Sequence, residues 1–147
     1  MKHSNNNLLI MTLLLFTVGM LLLNIAGVSA VDIQPNIIRD SEYISGRVIG
    51  GEPGDAYQDY PYAVSVKITS ANTHKKIGVI WVYQGPYYVN VKIFIGGNIA
   101  WEGELAAGGS SPTITANYKS ALVIIEAPFT SSNYSVVYEG YITWIYN

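Results

Sequence analysis

The chain has 147 residues, a net charge of −2, twelve tyrosines and no cysteine, and only 12% of its residues are charged. Without cysteine there is no disulfide and no thiolate for zinc binding or nucleophilic attack. The few basic residues are scattered, so no basic stripe exists to neutralise phosphates, which argues against nucleic acid as a partner.

The first element is an apolar run at 8–23, preceded by Lys2 and His3 and followed by the small residues Val28, Ser29 and Ala30. A basic start, an apolar stretch and small residues at the −3 and −1 positions make a secretory signal peptide, with cleavage after Ala30. The competing expectation is a retained anchor. Read through to Val28 the run reaches 21 residues, enough to span a bilayer, which needs roughly 20. No cysteine follows for lipid attachment, and no Gly-Glu junction precedes the run as in a type IV pilin. Residues 1–30 are thus expected to leave, giving a single domain with a charge of −3, seven basic residues against ten acidic.

Residues 31–42 (VDIQPNIIRDSE) read as an extended segment before the domain at 43–147. Pro35 keeps this segment out of a central ladder. It is an edge strand or tether, or else a strand donated to a neighbouring subunit, as in many exported fibres. A weak strand follows at 43–49, with Ile44 and Val48 on one face. The run GGEPGDAYQDY at 50–60 then gathers Glu52, Asp55 and Asp59 with Tyr57 and Tyr60. Oxygen-rich loops bind calcium, so these three carboxylates are the candidate metal ligands, although Gly-Glu-Pro-Gly-Asp is also ordinary turn chemistry.

Period-two alternation dominates the rest. Tyr62, Val64, Val66 and Ile68 mark a half-buried strand, and Ser70 to Lys76 reads as a polar turn holding His74. The runs KIGVIWVY at 76–83 and ALVIIEA at 121–127 are apolar on both faces and read as central strands. Residues 87–105 form a hairpin. A three-residue loop at Gly96, Gly97 and Asn98 would pair Ile95 with Ile99, Ile93 with Trp101 and Lys92 with Glu102. A short strand lies at 113–118. The last, at 133–146, puts Tyr134, Val136, Tyr138, Ile142, Trp144 and Tyr146 on one face, with Gly140 marking a bend or bulge. Seven or eight antiparallel strands with turns between them predict an all-β, immunoglobulin-like β-sandwich, with a small β-barrel as the alternative. The Cys…Trp…Cys frame of antibody domains is absent.

Catalysis has little to work with. His74 is the one histidine after the export segment, and no nucleophile elbow occurs. Glu102 and Glu104 share a strand face roughly 6.5–7 Å apart, but glycosidase pairs flank a cleft from different elements, so this pair reads as solvated. Tyr57, Tyr60, Tyr87 and Tyr88 sit in loops or at strand ends beside Pro61 and Pro86. They are the candidate contacts for a ligand or partner, because tyrosine supplies area and a hydroxyl at small entropic cost. Asn133 heads an N-glycosylation sequon.

These features describe an exported, non-enzymatic structural or adhesive protein, a self-associating cell-surface or filament subunit that takes no cofactor beyond the calcium considered above. A secreted carbohydrate-binding module is the alternative, and a membrane-active or pore-forming protein is a third class. Its partner is protein, itself included, or glycan. Membrane contact runs only through residues 8–28 if the signal is retained. Intact-mass spectrometry of the exported protein is expected to give a chain beginning at Val31; one beginning at Met1 would show a retained anchor.

Overall fold

The computed structural model describes residues 36–147. The export segment, the Ala30 junction and residues 31–35 lie outside the described residues. Nine strands follow one another: β1 (Ile38–Ile49), β2 (Asp55–Asp59), β3 (Ala63–Ile77), β4 (Ile80–Pro86), β5 (Tyr88–Ile95), β6 (Asn98–Ala106), β7 (Ile114–Thr115), β8 (Ala121–Glu126) and β9 (Tyr134–Tyr146). They form two antiparallel sheets. Sheet A is ordered β1-β9-β3-β4, with β7 paired to the start of β3, and sheet B is ordered β2-β8-β5-β6.

The first strand pairs with the last, from Ile38 opposite Tyr146 to Ile49 opposite Ser135. With the β3–β4 hairpin set aside, the sheets read 1-9-3-7 and 2-8-5-6, the winding of a jelly roll. An immunoglobulin-like sandwich pairs its first strand with its second, so that expectation is corrected, and two open sheets replace the barrel alternative. Alternation along a strand specifies which face is buried; it carries no information on which strand lies alongside.

The core forms where the two inner faces meet. Val64, Val66 and Ile68 of β3 and Val136, Tyr138, Ile142 and Trp144 of β9 pack against Val89, Val91 and Ile93 of β5 and Val123 and Ile125 of β8. All are in phase with the period-two pattern, and each contributes about 1.5–3 kcal/mol on burial. Ile44 and Val48 of β1 join them.

Several local readings change. Strand β1 begins at Ile38, inside the segment read as an edge strand or tether, and lies at the edge of sheet A, with Glu42 held by Trp144 Nε1 at 2.9 Å. Asp55 to Asp59 form β2 rather than a loop. His74 lies within β3, opposite Ser135 and Tyr83, not in a turn. The 76–83 run contains the turn of a hairpin. Ile77 faces Ile80, Gly78 takes φ 63° and β4 lies at the edge of sheet A. Glycine first in a two-residue turn is the type II′ pattern, whose twist suits a hairpin.

The β5–β6 hairpin closes with two residues rather than three. Gly96 and Gly97 both take positive φ, as type I′ requires, and Ile95 faces Asn98. A bulge at Ala100 restores the expected phase, so Ile93 still faces Trp101 and Lys92 still faces Glu102. The polar/apolar pattern demanded one extra residue; it sits in the strand instead of the loop.

Gly140 lies where β3 crosses β9 most closely. The register slips between Ile68 and Ser70, and a Cβ on Gly140 would collide with the Lys67 carbonyl oxygen. Gly140→Ala is expected to destabilise the domain by about 1–3 kcal/mol in urea unfolding. An unchanged midpoint would contradict this close approach.

Candidate functional site

Strand β9 sends three polar-tipped aromatic side chains inward, and each finds a carboxylate. The fully buried Tyr138 donates to Asp55 Oδ2 at 2.6 Å. Its single proton is thereby committed, so Tyr57 donates to the Tyr138 oxygen across 2.8 Å. Tyr146 donates to Asp59 Oδ2 at 2.5 Å, and Trp144 Nε1 donates to Glu42. Gly46 of β1 leaves room for this clasp, because a Cβ there would strike Asp55 and Tyr138.

Burial, followed by the bonds to Asp55 and Tyr57, pushes the Tyr138 phenol far above its ordinary value. Burial, with Asp59 next, pushes Tyr146 up to about 12. Tyr57 is raised, chiefly by burial.

The candidate calcium ligands do not converge. Asp55 and Asp59 stand at opposite ends of β2, each taken by a tyrosine hydroxyl, and Glu52 lies exposed in the preceding turn. Among the described residues no three histidine or carboxylate groups gather closely enough to hold a metal ion.

The four candidate contact tyrosines also separate. Tyr57 is inside the clasp, and Tyr60 is exposed on its own, its backbone N–H capped by Asp59. Tyr87 and Tyr88 belong to a row of rings closing one end of the sandwich. Tyr88, Tyr87, Phe129 and Tyr134 follow one another at centroid distances of 4.5, 5.1 and 5.2 Å, with Lys75 Nζ above Tyr134. Tyr87 has a ring on either side, so it offers no free face for a sugar. Asn133 is exposed in the adjoining turn, and its carbonyl accepts the Lys76 N–H. His74 Nδ1 lies against the Asn72 carbonyl and its ring meets Tyr83 edge-on, while the neighbouring Ser135 hydroxyl accepts from Arg47. No nucleophile–base pair forms there.

The surface that stands out is the β3–β4 hairpin, which the sequence reading placed in the interior. Val79 at its tip is 95% exposed, with Ile77 at 55%, Ile80 at 59% and Tyr83 at 57%. The outer edge of β4 has no strand beside it among the described residues. Sheet edges are normally protected by charge, brevity, proline or bulges. Strand β1 carries Arg39, Asp40, Glu42 and Arg47. Strand β2 is five residues long with aspartate at both ends, and β6 carries Glu102, Glu104 and the Ala100 bulge. Strand β4 (IWVYQGP) has no charged residue. Its bulge at Gln84 and its Pro86 protect only the far end, leaving Val79 to Tyr83 open. The sequence signal was Gly78, which divides an apolar run into two strands.

No protein-family model matches the chain, and no curated protein matches it. Among solved structures, one described as "Bacillus endospore appendages form a novel family of disulfide-linked pili" is similar at 13% identity, covering 78% of this chain and 92% of that chain, with a TM-score of 0.35. A similarity of that size fixes neither fold nor function, and this chain has no cysteine.

The clasp sets an alkaline limit. Below the ordinary tyrosine pKa of 10.0 both states keep their protons and its contribution is full. Above it the unfolded chain ionises first, so stability falls as pH rises from 10 through about 12 as Tyr146 titrates. Tyr146→Phe is expected to flatten this decline in denaturant titrations across that range; a decline as steep as wild type would contradict it. Tyr138→Phe is expected to cost about 1–3 kcal/mol at neutral pH, by leaving Asp55 and Tyr57 unpaired.

Proposed function

We propose that this chain is an exported, non-enzymatic structural or adhesive protein that self-associates at the cell surface. The observation that carries this reading is the open edge of β4, an uncharged strand with an apolar tip in a sandwich whose other long edges are protected. An edge of that kind takes a further strand by main-chain hydrogen bonding.

The occupant we assign is the segment at 31–34 of another copy. Val31 and Ile33 alternate with Asp32 and Gln34 in the sequence, and Pro35, which lacks a backbone N–H, would end a ladder formed there. Four residues match the four of β4 from Ile80 to Tyr83. Strand donation of this kind links copies into a chain, whereas pairing two identical β4 edges would stop at a dimer.

The test is light scattering behind size exclusion at about 0.15 M salt, on the protein as expressing cells process it. Wild type is expected to form assemblies that vanish both with Ile80→Lys, which places an inward-pointing charge at the edge, and on deletion of residues 31–35. A wild-type monomer would overturn self-association and favour the carbohydrate-binding alternative. Assemblies that survive Ile80→Lys would overturn the β4 edge as their site.

A further inference from the structure

The register of each sheet fixes which charged residues share an outer face. On sheet A, Lys67 stands in one row with Tyr141 and Tyr43, Arg39 pairs with Ile145, Arg47 with Val137, and Lys76 with Trp81. These rows alternate with the buried rows of Ile44, Val136, Ile142 and Trp144, so their side chains point away from the core. The outer face of sheet A therefore presents Arg39, Arg47, Lys67 and Lys76, all exposed, against the single carboxylate Glu139.

Sheet B shows the opposite sign. Val89, Val91, Ile93, Val123 and Ile125 point inward, which leaves Lys92, Glu102, Glu104 and Glu126 outside. Lys92 is bound to Glu126 at 2.8 Å, the one salt bridge among the described residues. Glu102 stands opposite Lys92 without a salt bridge to it and Glu104 forms none, and with Asn90 and Lys92 they line a groove of about 240 Å³ between β5 and β6. Each face also carries apolar surface. Tyr43 and Tyr141 meet edge to face on sheet A, and Phe94, Ile99 and Leu122 pair in one row on sheet B.

We infer that these two faces are partners: the cationic face of sheet A on one copy seats against the carboxylate face of sheet B on the next. The occupant is a second copy of this chain, and the ground is charge complementarity, three carboxylates and one lysine facing four cations and one carboxylate. Because the two patches differ, the contact is head-to-tail and repeats without closing. Lys67 of β3 is the cation we place in the groove beside Glu102 and Glu104, which lies toward the β6 edge of sheet B. The inference rests on self-association as proposed above but uses a different surface from the β4 edge.

The test disables the edge and varies salt. In the Ile80→Lys background, light scattering is compared between about 0.02 M and about 0.5 M salt, where screening shortens from tens of ångströms to a few. The expected result is reversible association at low salt, weakened at least tenfold at high salt. Lys67→Glu or Glu102→Lys, added singly, is expected to hold the protein monomeric at low salt. An equimolar mixture of those two variants pairs their intact faces and sets opposite charges against each other at the altered ones, and is expected to recover association at low salt. A mass that does not change with salt, or a Lys67→Glu chain that associates as its parent does, would overturn the face-to-face contact. Neither outcome touches the edge reading, which is decided at about 0.15 M salt on the wild-type chain.

Discussion

The hydroxyl of Tyr138, buried between the sheets and bonded to Asp55 and Tyr57, is the contact on which the sandwich depends most. A small domain without cysteine has no covalent link between its layers and must join them by packing and by polar contacts that are fully satisfied. Strand β9 does both. It is paired along its length to β1 on one side and to β3 on the other, and it places Tyr138 against β2 of the opposite sheet. Gly46 leaves room for the Asp55 and Tyr138 side chains, and Gly140 lets the β3 backbone come close to β9. Half-satisfied, such a network would cost more than an apolar core; here each buried hydroxyl has its acceptor.

That solution leaves the sheets open at their sides. Two open sheets have four edges, and the fold protects them unequally. Charges guard β1 and β6 and brevity guards β2, whereas β4 extends from the body with an apolar tip and an uncharged ladder. In a solitary domain such an edge is a liability. In a subunit such an edge would serve as the connector we propose, and the opposite charges of the two outer faces would add the second contact.

Much of this was legible in the residues. The alternation of Val64, Val66 and Ile68, and of Val89, Val91 and Ile93, gave the inner faces correctly, because burial on one side of a pleat imposes period two. The pairing of Lys92 with Glu102 followed from the same pattern, although the loop length did not, since an extra residue satisfies the pattern equally well in the turn or in a bulge. Neighbour order was not legible, because nothing local in β1 specifies that its partner is the last strand. The exposed edge of β4 was not legible for a related reason. The run from Lys76 to Tyr83 is apolar on both faces, and hydrophobicity alone does not separate a strand buried on both sides from one awaiting a partner. The carboxylates of β2 read as metal ligands because a one-dimensional cluster cannot show that Tyr138 and Tyr146 reach them first.

The measurement that bears most directly on the central claim is hydrogen exchange of the assembled protein against the dissociated chain. If copies join by adding a strand to β4, the amides of Val79 to Tyr83 that point away from β3 are expected to exchange freely in the monomer and to become protected on assembly. Assemblies in which those amides exchange as fast as in the monomer would contradict strand addition at this edge.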